Sequence, residues 1–356
     1  MKIGIITFTV NNFGAQLQAF ALQHKLELLG YDAEICDIQI EPASKKILYI
    51  AKIKEWIRSL FSRDFFRTVQ RIVNKVRRVN DCRIEKYSGV GFHEFKSKFL
   101  VCSHRFTANY IRENPNLYDV YIAGSDQVWS YTMSSILDIY FMNFTQNKKF
   151  SYAASFGVNK IPSWLSKKYS NYLNMLDGIS IREQQGVLLA KQLTSKDVVK
   201  VVDPTFLLNK DEWAKIFDNS LTPKNPYIFV YDLIDSSFLT DYVLWMAKNE
   251  DLEIISSSNK TPQQFLSLIA NAKHVVTTSF HAVALSINFG VNFTVICRLS
   301  KHTNSRMIDL CADYAMGEHV LMEGGGFFIP KLVTGYENKL DEDVKSSIKY
   351  LCDYLN

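Results

Sequence analysis

The chain has 356 residues, 47% hydrophobic content and a net charge of only +5. It is long enough to divide into two domains, and no recognised nucleic-acid-binding motif accompanies its slight basicity. Six cysteines (Cys36, Cys82, Cys102, Cys297, Cys311, Cys352) show neither CxxC pairs nor metal-ligand spacing and read as buried thiols of a reducing compartment.

In chain order, the first apolar run, 3–8, breaks at Asn11-Asn12 and reads as a strand rather than a signal peptide. An amphipathic helix over 16–29, stopped by Gly30, and a strand over 33–37 complete a β-α-β unit. Residues 41–88 depart from this pattern, with 13 Lys or Arg against 5 Asp or Glu. There Ile53, Trp56, Ile57, Leu60 and Phe61 recur at helical spacing among Lys54, Arg58 and Arg63. Such a basic helical insertion either covers its own domain or lies on an anionic membrane surface.

Strands at 118–123, 150–154 and 199–202, with helical periodicity between 165 and 190, complete an N-terminal Rossmann-like domain expected over 1–202. A second alternation follows Asp203-Pro204: strands 227–231, 252–256, 275–278 and 293–297, with helices 237–248, 262–272 and 282–289 between them. Thr261-Pro262-Gln263-Gln264 forms a capping box with proline at the first helical position. This defines a C-terminal Rossmann-like domain over 203–335 and leaves 336–356 as a terminal helix that can pack back on the first domain. The expected fold is α/β: two doubly wound Rossmann-like domains facing a cleft, GT-B-like, with the basic helical insertion in the first. In such folds ligands sit at the carboxyl ends of strands.

Four segments at those ends carry chemistry. Asn11-Asn12-Phe13-Gly14-Ala15 joins the first strand to its helix; Gly14 allows close approach or positive φ, and an Asn-capped turn is the plain alternative. Gly124-Ser125-Asp126-Gln127-Val128-Trp129 offers hydroxyl, carboxylate, amide and indole to a sugar, unless Asp126 is a cap and Trp129 core. Ser180-Ile181-Arg182-Glu183 puts an arginine at a helix start, suited to carboxylate or phosphate, or else to a surface pair with Glu183 or Asp203. Ser279-Phe280-His281 delivers a titratable ring to a helix N-terminus. Arg306 follows Asn304-Ser305 ahead of another helix.

The ordered set Asn12-Phe13-Gly14-Ala15 with Gln18 and Ala19, Gly124 to Trp129, Ser180 to Glu183, Asp203-Pro204-Thr205, Ser279 to His281 and Asn304 to Arg306 resembles the polysaccharide pyruvyl transferase family. The resemblance implies an enzyme that moves the enolpyruvyl unit of phosphoenolpyruvate onto a sugar of a lipid-linked saccharide, giving a pyruvate ketal and free phosphate. It implies catalytic roles for His281 and Arg182 and a donor site of Arg182, Ser279, Phe280, His281, Arg306 and Gly14. Asn12, Asp126, Gln127 and Trp129 remain for the acceptor. Some members carry an arginine two residues before the histidine, where this chain has Ser279, so Arg306 or Arg298 is left to supply a second cation.

No cofactor or metal is expected, and the implied location is cytoplasmic, with peripheral contact at the inner membrane face through 41–88. Two other readings fit the same residues: a GT-B glycosyltransferase using a nucleotide sugar, and a non-catalytic, membrane-tethered saccharide-binding protein.

Overall fold

The protein is described by a computed structural model over residues 1–39, 90–131, 136–298 and 304–356. The basic segment expected at 41–88 lies outside the described residues.

The first strand, β1 (Lys2–Ile6), pairs in parallel with β2 (Asp32–Ile35). A short pair, β3 (Ile38–Gln39) with β4 (Phe106–Thr107), stands beside them. On its other side β1 pairs with β5 (Val120–Ala123), and β5 with β6 (Lys148–Ser151), so the sheet runs β2-β1-β5-β6, all parallel. β7 (Ile179–Ile181) pairs with β8 (Val198–Lys200) and continues this layer, because Ser151 N–H bonds to Gly178 O and Ala154 N–H to Ser180 O.

The second sheet comprises β9 (Tyr227–Tyr231), β10 (Glu253–Ser256), β11 (His274–Thr277), β12 (Phe293–Cys297) and β13 (Val320–Met322), in the parallel order β10-β9-β11-β12-β13. The fold is α/β with two Rossmann-like parallel sheets, the class read from the sequence. Strand order reverses at β1/β5 in the first sheet and at β9/β11 in the second. Those switch points are where a doubly wound fold opens a crevice.

Helix Phe13–Leu28 departs from expectation. It was read as amphipathic, yet Gln16, Gln18 and Gln23 are as buried as Leu17, Leu22 and Leu26. The helix is enclosed by both halves: Phe13 stacks on Phe265 at 4.2 Å, and Gln23 Nε2 donates to Ala33 O and Val101 O. The backbone satisfies Gln23 at both ends and Gln18 at Nε2, whereas Oε1 of Gln16 and of Gln18 is buried without a hydrogen bond among the described residues. Helix Pro262–Ala270 starts with both reciprocal bonds of the capping box at Thr261 and Gln264.

The last helix, Glu337–Leu355, lies against the first sheet. Tyr350, Leu351 and Leu355 join the core of Ile3, Ile5 and Phe150, and the Tyr350 hydroxyl donates to Ser151 O.

Candidate functional site

The loops after β1, β5, β7, β8 and β11 converge. Helix Phe280–Phe289 begins directly after β11 and carries His281 in its first turn, 8% exposed. The ring lies against Gly14, at the start of the first helix. A Cβ built on Gly14 would collide with Nδ1, Cγ and Cε1 of His281, the last at 2.7 Å. Two segments far apart in sequence are thus fitted to each other by the missing side chain. Close approach, rather than positive φ, is what this glycine supplies.

Arg182, just past β7, is wholly enclosed: its side chain has 0% exposure. Nη1 donates to Asp203 Oδ2 at 2.7 Å and Ser125 Oγ at 3.2 Å, and Nη2 to Asp126 Oδ1 at 3.4 Å. The guanidinium carbon sits 4.3 Å from the Phe280 ring centroid, a cation–π contact. Nε lies 3.6 Å from Glu183 Oε2. The surface pair considered for this arginine is therefore a buried one, which changes its energetics. Its donors are directed at protein carboxylates rather than toward solvent.

Asp203 is the least anticipated member. It follows β8, caps the 3-10 turn Pro204–Phe206 through Oδ1, which accepts from Thr205 N and Oγ1, and offers Oδ2 to Arg182 and to Ser125 Oγ at 2.9 Å. His281 Nε2 stands 3.4 Å from Arg182 Nη1 and 3.8 Å from Asp203 Oδ2. Burial lowers the His281 pKa below its ordinary value, with Asp203 opposing and Arg182 adding to the effect. Burial works to raise the Asp203 carboxyl, but His281 and Arg182 outweigh it and leave the pKa lowered. Glu183 is raised, chiefly by burial, against the pull of Arg182 and Arg306.

Arg306 enters from helix Ser305–Asp313 and is half-buried. With the Gln127 carboxamide oxygen turned toward it, Nη1 and Nη2 bond to that oxygen at 3.0 and 2.7 Å. Its Nε makes no hydrogen bond among the described residues. Burial lowers its pKa to about 10, still charged at neutral pH. Arg298 is held by Ile234 O at 2.7 Å and Glu323 at 3.6 Å.

Asn12 caps the first helix at Ala15 N and reaches the Tyr231 hydroxyl at 3.4 Å. Ser279 is the N-cap residue of helix Phe280–Phe289 without a side-chain capping bond among the described residues. Asp126 has φ 74° and a partly exposed carboxylate.

The acceptor reading of Trp129 is corrected in favour of the core alternative: it has 0% exposure, is stacked on Phe141 at 4.6 Å and donates Nε1–H to Tyr140 O. An indole with both faces and its N–H occupied is core.

Asp203 was weighed only as a surface partner of Arg182, and Ser125 only as a hydroxyl offered to a sugar. The available signal was a charged residue closing an apolar strand immediately before Pro204-Thr205. A cavity of about 140 Å³ adjoins Arg182, Asp203 and Phe280, with Lys200, Tyr314 and Lys339 on its other walls; His281 does not line it. Among the described residues no group of three His, Cys, Asp or Glu side chains is placed to hold a metal ion.

The polysaccharide pyruvyl transferase family model matches residues 12–296. The chain belongs to this family. The match spans the turn at Asn12, the arginine and aspartate at the ends of β7 and β8, and the helix carrying His281, so the family region contains most of the convergent residues. No curated protein matches the sequence.

Among solved structures, the chain is similar to a putative UDP-N-acetylglucosamine 2-epimerase from Listeria monocytogenes, at 13% identity over 97% of this chain and 88% of that one, TM-score 0.47. It is also similar to the UDP-GlcNAc 2-epimerase from Neisseria meningitidis bound to UDP-GlcNAc, at 10% identity over 99% and 93%, TM-score 0.48. The E. coli ADP-heptose LPS heptosyltransferase II matches at 9% identity over 98% and 99%, TM-score 0.36.

Proposed function

We propose that this pyruvyl transferase uses phosphoenolpyruvate as donor and a lipid-linked saccharide as acceptor. The observation that carries the reading is the family match together with a buried histidine pinned on Gly14 at a helix N-terminus, beside an arginine–aspartate pair.

The reaction requires a proton at C3 of the donor, attack of two sugar hydroxyls at C2 and loss of phosphate from C2. One hydroxyl proton restores the proton used at C3, and the other leaves with phosphate, so charge and atoms balance. His281 is assigned the proton transfer to C3, because its Nε2 is the titratable atom set beside Arg182 and Asp203 at the start of helix Phe280–Phe289. Arg306 and the first-turn amides of helix Phe280–Phe289 are assigned to the donor's carboxylate and phosphate.

Arg182 supports the site from behind by fixing Asp203 and carrying positive charge on the Phe280 ring. Ser279 and Gly14 shape the wall around the imidazole. Asn12, Asp126 and Gln127 are assigned to the acceptor. Residues 41–88 are assigned to contact with the inner face of the cytoplasmic membrane, where a lipid-linked acceptor resides.

The decisive experiment is phosphate release from phosphoenolpyruvate with a panel of lipid-linked saccharides, with nucleotide sugars as the contrasting donor. Acceptor-dependent phosphate release is expected. Turnover of a nucleotide sugar, with phosphoenolpyruvate inert, would replace this reading with a glycosyltransferase.

A further inference from the structure

Two cations, Arg182 and Arg306, are packed with three carboxylates, Asp126, Glu183 and Asp203. Burial raises the Glu183 pKa, and even with Glu183 neutral the two cations are matched by Asp126 and Asp203, so no positive charge is left over for a donor bearing both carboxylate and phosphate. Something must add positive charge when the donor enters, and His281 is the neutral titratable ring at the centre.

Its Nε2 has two neighbours with opposite demands. Arg182 Nη1, at 3.4 Å, is a donor and suits an imidazole whose lone pair is on Nε2. Asp203 Oδ2, at 3.8 Å, suits an imidazole whose Nε2 carries a proton. The ring cannot retreat from both, because Gly14 backs it closely.

We propose that Asp203 is the positioning residue of the proton-transfer step: its charge, 3.8 Å from Nε2, favours protonated His281 while leaving the Nε2–H for C3 of the donor, and so couples proton uptake from solvent to the arrival of the anionic donor. The inference rests on the pyruvyl transfer reading above. Neutral His281 accepts from Arg182 at Nε2; once protonated, Nε2 carries the proton that C3 of the donor receives, and the Asp203 carboxylate beside it offsets the charge of the ring.

Asp203 is suited to this because all its other contacts hold it fixed: Thr205 on Oδ1, Ser125 and Arg182 on Oδ2. The groups that bear on His281 are Asp203 after β8, Arg182 after β7, Asp126 after β5 and Arg306 on helix Ser305–Asp313. The turn Asn11 to Ala15 brings no charge. Asp203 is the carboxylate that most strongly favours the charged ring, against burial.

The test is the titration of His281 followed by NMR on histidine-labelled full-length protein, its signal assigned with His281→Gln. In Asp203→Asn the midpoint is expected to fall by about one pH unit or more, the usual effect of an adjacent opposite charge. The limb on which kcat falls with rising pH should move the same way. Ser125→Ala removes an O–H donor from the same carboxylate oxygen and is expected to move the midpoint upward; it decides the matter if Asp203→Asn does not fold.

Calorimetry of phosphoenolpyruvate binding in buffers of different ionisation enthalpy should show uptake of about one proton by wild type and its loss in His281→Gln. An unchanged His281 midpoint in the folded variants, or binding without proton uptake, overturns the proposal. A wild-type protein that binds no phosphoenolpyruvate overturns instead the donor assignment, while the NMR comparison still judges Asp203.

Discussion

Gly14 and His281 are separated by most of the chain, yet the imidazole occupies the space a side chain on Gly14 would need. The contact joins the first turn of the first helix to the helix after β11. It makes the position of the ring depend on an atom that is absent. Gly14→Ala is therefore expected to displace the imidazole and lower kcat by about 10²-fold, the scale of an ångström-sized misplacement of a catalytic group. Steady-state kinetics alongside a melting curve check this. A variant with unchanged turnover would remove His281 from the chemistry or show that the first helix yields freely.

The two arginines should separate. Arg182→Ala leaves Asp203 buried without its main partner and is expected to cost about 3–5 kcal/mol of stability. Arg306→Ala, half-buried and bonded through Gln127, should leave the melting temperature close to wild type. It should weaken phosphoenolpyruvate binding by about ten- to a hundredfold, the value of a hydrogen bond to a charged group. Denaturant titration and calorimetry on both variants check the division; a reversed pattern would exchange their roles.

Trp129→Ala tests the correction made above. Loss of a buried indole stacked on Phe141 is expected to cost about 3–5 kcal/mol. The acceptor KM of the folded fraction should remain near wild type. A large rise in acceptor KM without loss of stability would restore the indole to the sugar site.

Acid stability should reflect buried neutral histidines. His274 bonds to Thr294 Oγ1 within the second core, and burial lowers its pKa from 6.5 to about 3. His319, bonded to Phe293 O, is lowered for the same reason. A histidine with a depressed folded pKa gives stability that is present above its unfolded value and lost as pH falls toward the folded one. Stability is thus expected to decline from pH 6.5 toward 3, and His274→Asn should flatten that slope. Denaturant midpoints measured across the range decide; identical slopes would place the acid sensitivity elsewhere.

The basic segment 41–88 is expected to bind anionic vesicles in a salt-sensitive way, because each basic side chain near such a surface contributes about 1 kcal/mol. Vesicle sedimentation at low and high salt checks it. Failure to bind at low salt would end the tether assignment.

Elements with strong local signals were legible in the sequence. Strands Tyr227–Tyr231 and Phe293–Cys297 lie where continuous apolar runs put them, and the Thr261 capping box fixed the start of its helix. Arginine, histidine and glycine were singled out because chemistry at a strand end has few residue types to use.

Tertiary context hid the rest. Nothing in the spacing of Gln18 and Gln23 distinguishes a solvated face from one bonded to buried carbonyls. Trp129 could not be assigned to core or crevice until Phe141 and Tyr140 were placed beside it. The pairing of Asp203 with Arg182 brings together the ends of two neighbouring strands, so the sequence gives the residues but not the distance.

The chain passes between its two sheets twice, once after β8 at Asp203 and once on entering helix Glu337–Leu355. The passages are tied together where Val202 N–H donates to Ser347 Oγ at 3.0 Å. A single linker lets two bodies swivel, whereas two linkers fastened side by side act as a door hinge, permitting bending about one line and resisting twist. The second linker thus restrains how far the two halves can turn against each other, and helps hold Phe280 to Arg182 and His281 to Gly14. Cutting away the final helix would remove one of the two linkers and, with Tyr350, Leu351 and Leu355, part of the core of the first sheet.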